Sequence, residues 1–337
     1  MTSRTVSNLL RCITLHRAWN LLRVLASFLL SSWTKRHIVW GLPYTLTIEP
    51  TNRCNLFCPE CPSGNGEMVR PLGSMPLEHF ERIVDELRGE TFYLQLFFQG
   101  EPFINKHLVA MIAAARARRM YTAISTNAHF LTRAAADALL GAGLDRLIIS
   151  IDGMSEETYQ EYRVGGTLAK VREGLSALRD ARAAHPRGGR MEVILQFLVT
   201  RQNEHEIPAL RTLAKEYDAV AALKTIQVYS LEGAERFLPA DERYRRYTIE
   251  NGVLRPKSAL ANRCARLWER SVVTWDGEVV PCCFDKNAEY PLGSLAEDSF
   301  KDVWESPAYS DFRKGILANR RGVPMCTNCT EGLSVYR

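Results

Sequence analysis

At 337 residues, with 46% apolar and 24% charged side chains, the chain has the size and composition to bury a substantial core, as one large domain or one large and one smaller. The formal charge of +5 is modest and dispersed, and no aromatic–basic stripe accompanies it, which leaves nucleic acid out as a partner. Nine cysteines, most of them in two groups, exclude the disulfide scaffold of a small secreted domain and point to metal in a reducing cytoplasm.

Residues 1–43 read as a basic, apolar helical segment. Residues 1–48 contain no Asp or Glu but carry Arg4, Arg11, Arg17, Arg23, Lys35 and Arg36 among leucines and tryptophans. The apolar run 24–33 is too short to span a bilayer; it has the length of a signal-peptide core, but no small-residue cleavage site follows. Two readings stay open: a helix packed on the outside of a cytoplasmic protein, and an interfacial helix giving peripheral membrane contact through residues 1–40. The arginines do not segregate on a helical wheel, which weighs against the second.

From residue 44 the pattern is regular. Strand-like runs at 44–49, 91–98, 121–126, 146–151, 191–200 and 221–229 alternate with helical spacing, with Thr132 opening one helix and Gly141 and Gly143 closing it. Six strands alternating with helices predict an α/β protein with a parallel sheet covered on both faces, either doubly wound or a barrel. Residues 231–263 read as a connector interrupted by Pro239, Gly252 and Pro256, and Asp276-Gly277 as a two-residue hairpin turn in a smaller unit from 264 to 337.

The loop after the first strand, TIEPTNRCNLFCPECP, sets Cys54, Cys58 and Cys61 in a Cys-x3-Cys-x2-Cys array. A cubane iron–sulfur cluster takes four cysteines, and the next is Cys264, so one iron is left for a non-protein ligand. The bland alternative is a zinc knot completed by a residue such as His79.

This array, directly after an apolar strand, resembles the radical S-adenosylmethionine (radical SAM) superfamily. The resemblance implies a partial (β/α)6 TIM-like barrel with its reactive groups at the carboxyl ends of the strands. It also implies a 4Fe–4S cluster whose open iron is chelated by S-adenosylmethionine (SAM), reductive cleavage to a 5'-deoxyadenosyl radical, and an electron donor such as flavodoxin or ferredoxin. Gln99-Gly100-Glu101-Pro102 is similar to the family's Gly-Gly-Glu-Pro, assigning Gly100 and Glu101 to the SAM amino group; Gln99 departs from it. By the same resemblance Ser125, Asn127 and Ser150 lie at strand ends that hold SAM, Arg163 pairs with its carboxylate, and Gln196 reaches its ribose.

Cys264, Cys282, Cys326 and Cys329 resemble the SPASM domain in its single-cluster Twitch form, which implies one auxiliary 4Fe–4S cluster; zinc on the same thiolates is the alternative. Cys283 is left over, since neighbours in a strand point to opposite faces. The expected function is hydrogen abstraction from a small molecule or carbohydrate, with the auxiliary cluster accepting an electron. Peptide maturation is the alternative, though residues 1–43 look short for the leader-binding domain many such enzymes carry. A lipid-linked substrate and a non-enzymatic iron–sulfur electron carrier complete the set. No acid or base stands out; Asp285, beside Cys283, is the one candidate.

Overall fold

The alternating pattern resolves into a nine-stranded sheet in a computed structural model, which describes residues 2–257 and 260–329. Strands β1 (Thr45–Ile48), β2 (Tyr93–Gln95), β3 (Tyr121–Thr126), β4 (Arg146–Ser150), β5 (Glu192–Val199) and β6 (Val220–Thr225) lie side by side in chain order, each pair parallel. Parallel neighbours need crossovers, and helices such as Leu77–Glu86, Leu108–Ala117, Arg133–Ala142 and Leu168–Ala184 supply them. Their apolar faces meet those of the strands in the main core, where Leu46, Leu94, Ile124, Ile149 and Phe197 pack with Phe80, Met111, Leu139 and Leu175. This is the partial (β/α)6 barrel. The helix at 133 starts where the Thr132 side chain accepts the Ala135 N–H, and ends where Gly143 turns left-handed at φ +90°.

The sheet does not stop at β1. A hairpin, β7 (Tyr247–Glu250) and β8 (Val253–Pro256), stands apart, but β9 (Arg270–Val273) lies parallel to β1, with Thr45 opposite Arg270 and Ile48 opposite Val273. Strands β10 (Glu278–Val280) and β11 (Gly293–Ser294) follow antiparallel. The cysteine-bearing C-terminal unit is therefore joined to the strand that feeds the first cysteine loop.

Two turns depart from expectation. Val273 opposes Val279 and the Thr274 N–H bonds to the Glu278 carbonyl, so the loop holds three residues, with Gly277 left-handed at φ +93°. That is a type I turn closed by a glycine bulge, not a two-residue turn. Conversely Glu250 opposes Val253 across Asn251-Gly252, both at positive φ, a type I' hairpin inside the segment expected to be a connector without a long element.

The N-terminal helices α1 (Ser3–Leu10) and α2 (Leu15–Thr34) pack on the outside, across the amino ends of the strands. Thr2 and Thr5 both donate to Glu192 at the start of β5, Thr5 at 2.7 Å, and Arg146 at the start of β4 holds the same carboxylate at 2.6 Å. Arg17 is buried and donates to the carbonyls of Cys12, Arg88, Arg118 and Arg119 at 2.6–3.2 Å. The arginines fail to segregate on the wheel because this one points inward. Among the described residues no helix is long and apolar enough to cross a membrane.

Candidate active site

Leaving β1, the chain turns through Cys54, Cys58 and Cys61 into a short helix, Pro62–Asn65, whose Gly64 and Asn65 N–H groups bond back to the Cys61 carbonyl. The turn is tight: a Cβ on Gly64 would lie 2.5 Å from the Cys58 nitrogen. All three thiols are free. They line a cavity of about 390 Å³ at the carboxyl ends of the strands, together with Gly100, Glu101, Ser125, Asn127, Ser150, Arg163 and Gln196. Every polar residue singled out from the strand ends is thus brought to one place.

Glu101 is buried and held on three sides. Its carboxylate accepts from the Thr126 hydroxyl and the Asn127 N–H, each at 2.7 Å, and from the Phe103 N–H at 3.3 Å. Burial nevertheless pushes it up to about 7, against the pull of these hydrogen bonds. A carboxylate this reluctant to ionise gains from a cation beside it. Asn127 also reaches Asn55 in the cysteine loop, 2.8 Å away.

Gly100 cannot be another residue: φ is +75°, and a Cβ would meet the carbonyl oxygens of Thr51 and Arg53 at 2.5 and 2.6 Å. Gln99 is not left-handed, and its Oε1 accepts from the Ser63 hydroxyl at 3.3 Å beside Cys61. The departure from the family's double glycine therefore costs no backbone strain.

Arg163 has a partner the sequence did not supply. Its Nε lies 2.5 Å from Asp152, which is buried, and its Nη1 lies 3.8 Å from the Cys58 sulfur. Asp152 also accepts the Leu198 N–H at 2.6 Å, tying β4 to β5. Burial raises the Cys58 thiol and takes Cys54 up to about 11, while Arg163 pulls Cys58 the other way. Cysteine ligands bind metal as thiolates, so metal binding here displaces protons.

Cys264, Cys282, Cys326 and Cys329 line one apolar chamber with Phe284, Phe312 and Met325, and Arg320 stands 3.5 Å from Cys329. Cys283 is exposed, with Arg266 3.4 Å from its sulfur. Three cations absent from the sequence reading, Lys224, Arg246 and Lys286, join the wall of the first cavity, and Arg246 reaches the Asn328 carbonyl, beside Cys329, at 3.4 Å. Lys224 and Gln227 interrupt an apolar strand run as Gln196 does, and that signal could have found them; Arg246 and Lys286 arrive only through tertiary folding. Asp285 is corrected: it accepts the N–H groups of Glu289 and Tyr290 at 2.7 and 3.0 Å, shapes its loop, and does not line the cavity. His79 is exposed on its helix, away from the three thiols.

Among the described residues no three His, Cys, Asp or Glu side chains close around a point that would hold a single metal ion. The donor sets suit multi-iron clusters: four cysteines line one chamber, and three line another with one coordination position left to a small ligand. A family model of the radical SAM superfamily matches residues 48–214, and one of the SPASM iron–sulfur cluster-binding domain matches 264–330. The chain belongs to the radical SAM superfamily. Its cofactors are accordingly SAM, the SAM-binding 4Fe–4S cluster and SPASM-type auxiliary iron–sulfur.

Among curated radical SAM relatives, the PqqA peptide cyclase of Granulibacter bethesdensis is 28% identical over 80% of this chain and 76% of its own length. The mycofactocin maturase MftC of Mycobacterium tuberculosis is 25% identical over 85% and 75%. Of solved structures, Streptococcus suis SuiB bound to S-adenosylmethionine superposes with a TM-score of 0.66 at 15% identity, over 90% of this chain and 76% of that one. BtrN in complex with AdoMet and 2-DOIA gives 0.51 at 18%, over 86% and 93%. At these identities the two structures speak for the fold alone.

Proposed function

We propose that this radical SAM enzyme modifies a peptide. The observation that carries the reading is the span of its similarity to a peptide cyclase, and to a mycofactocin maturase beside it, which runs through the barrel and into the SPASM unit. Small-molecule or carbohydrate oxidation, the first expectation from sequence, rests on weaker ground, since the likeness to BtrN is one of fold.

Cys54, Cys58 and Cys61 hold the SAM-binding cluster in this reading, and Cys264, Cys282, Cys326 and Cys329 hold one auxiliary cluster. When bound, the cluster and SAM supply a 5'-deoxyadenosyl radical that takes hydrogen from a C–H bond. The chain's own contribution is placement. Gly100 lets the backbone close on the cysteine loop, and Glu101 offers the SAM ammonium an acceptor inside a buried wall. Ser125, Asn127, Ser150 and Gln196 present short polar groups to the ribose and carboxylate, and Arg163, braced by Asp152, sets positive charge against the Cys58 sulfur and the SAM carboxylate. Lys224, Arg246 and Lys286 give the cavity a positive wall that suits a substrate carboxylate.

The test is anaerobic. The reconstituted protein is given SAM, a strong reductant, and either short precursor peptides or amino sugars and cyclitols, and 5'-deoxyadenosine is quantified. Stimulation by a peptide, with a matching loss of hydrogen from that peptide by mass spectrometry, supports the reading. Stimulation by a sugar or cyclitol alone sinks it.

A further inference from the structure

Helix α2 is turned the opposite way from an ordinary surface helix, which buries an apolar stripe and shows water a polar one. Arg17, Asn20, Ser27 and Ser31 face inward with Val24, while Leu15, Trp19, Leu22, Leu29 and Trp33 face out. Their spacing of three, four and seven residues sets the outer five along one line of the helix. Leu15 is 93% exposed and Trp33 83%. Exposed leucines scattered singly need no explanation; a continuous apolar line along a 20-residue helix, roughly 30 Å, does.

Charge indicates what covers it. No Asp or Glu occurs in residues 1–48, and Arg11, Arg23, Lys35 and Arg36 are exposed. Along one flank runs a groove of about 680 Å³, larger than the thiol-lined cavity, whose wall includes Trp19, Arg23, Trp40, Lys301 and Arg313. Arg313 is buried between aromatic rings, 3.8 Å from the Tyr309 centroid and 4.1 Å from that of Trp304, and its Nη2 has no hydrogen-bond partner. Two carboxylates also line the groove, Glu90, bonded to His16 at 3.1 Å, and Glu305. The three cations outnumber them. A second copy of the same face would set arginine against arginine, so charge disfavours a two-fold pairing.

We propose that α2 lies flat on an anionic phospholipid surface. Its apolar line enters the boundary between headgroups and acyl chains, the two tryptophans sit at that depth, and the basic flank with its groove meets lipid phosphates. Helices α1 and α2 cover the amino ends of the strands while the thiol cavity opens at the carboxyl ends, so docking uses no residue of that cavity. The proposal is independent of which substrate the enzyme takes.

The 337-residue chain, anaerobically reconstituted, is sedimented with vesicles of phosphatidylcholine alone and of phosphatidylcholine with phosphatidylglycerol in equal parts. It is expected to pellet with the anionic vesicles, less so as salt rises. Leu22→Glu/Leu29→Glu should lower partitioning by at least about tenfold, because two apolar side chains leave the interface. Arg23→Gln/Lys301→Gln should weaken binding to anionic vesicles and flatten its salt dependence. Both variants should still cleave SAM, which shows them folded. Wild-type protein that stays in the supernatant with both vesicles, or a glutamate variant that pellets like wild type, overturns the proposal. So does a dimer in light scattering that the glutamates dissociate while vesicles go unbound.

Discussion

Arg163 bridges Asp152 and Cys58, with its Nε 2.5 Å from the carboxylate and its Nη1 3.8 Å from the sulfur. The guanidinium can do both because it is a planar fork; a lysine ammonium is a single point of charge. Partners that orient a metal ligand typically cost 10–100-fold in metal affinity or activity when changed. Arg163→Lys is therefore expected to fold and take up iron at the second cysteine group as before, yet to lose roughly 10–100-fold in 5'-deoxyadenosine formation. Iron content and nucleoside yield, measured on the same preparation, check this. Unaltered yield would mean that Arg163 serves packing only.

Gly100 and Gln99 are adjacent and should respond in opposite ways. Gly100→Ala places a Cβ 2.5 Å from a backbone carbonyl at a φ of +75°, and left-handed strain alone costs about 1–3 kcal/mol. Loss of SAM cleavage with a lower melting temperature is expected. Gln99→Gly removes three weak contacts, the Ser63 hydroxyl and the Cys61 thiol on Oε1 at 3.3 and 3.9 Å and the Nε2 bond to the Phe98 carbonyl at 3.2 Å, and adds no strain, so cleavage should stay within a few-fold of wild type. Equal damage from both would contradict this account of the departure from the family motif.

Much of this was legible in the sequence because buried parallel strands write themselves as continuous apolar runs, and because barrel chemistry collects where such runs stop in polar residues. Ser125 and Ser150 stand where such runs stop and Gln196 interrupts one; the family resemblance singled them out, and all line the cavity. What escaped has two physical sources. Gly252 reads in the sequence only as an interruption, whereas with Asn251 it supplies the two successive positive φ values that a tight hairpin demands. The pairing of β9 with β1, and the arrival of Arg246 and Lys286 in the cavity wall, join segments distant in the chain, which no local pattern records.

The two cysteine groups should account for iron separately. Reconstituted protein is expected to carry about eight irons for two four-iron clusters, and Cys54/Cys58/Cys61 to alanine about four, with no SAM cleavage. Cys282→Ala should remove the other four or so, whereas Cys283→Ala, at an exposed position with its sulfur beside Arg266, should lose none. Chelation that strips both groups should release the barrel from none of its hydrogen-bonded strands, so circular dichroism should change little in the barrel. A Cys283→Ala variant lacking half its iron would reassign the auxiliary ligands.

Glu101 links stability to function with a sign that can be worked out. Its ordinary value is 4.5 and in the folded apoprotein it stands at about 7, because burial outweighs three hydrogen bonds. Between those values the folded state binds more protons than the unfolded one, so stability falls as pH rises and levels off above about 7. The full penalty is on the order of 3 kcal/mol, at about 1.36 kcal/mol for each tenfold change in proton affinity. Glu101→Gln keeps the side chain's size and removes the charge. In the apoprotein it should flatten the fall between pH 4.5 and 7 and raise the denaturation midpoint at pH 8, while SAM binding weakens because the ammonium has lost its carboxylate. A variant that is more stable and yet binds SAM as wild type does would leave Glu101 with no part in holding SAM.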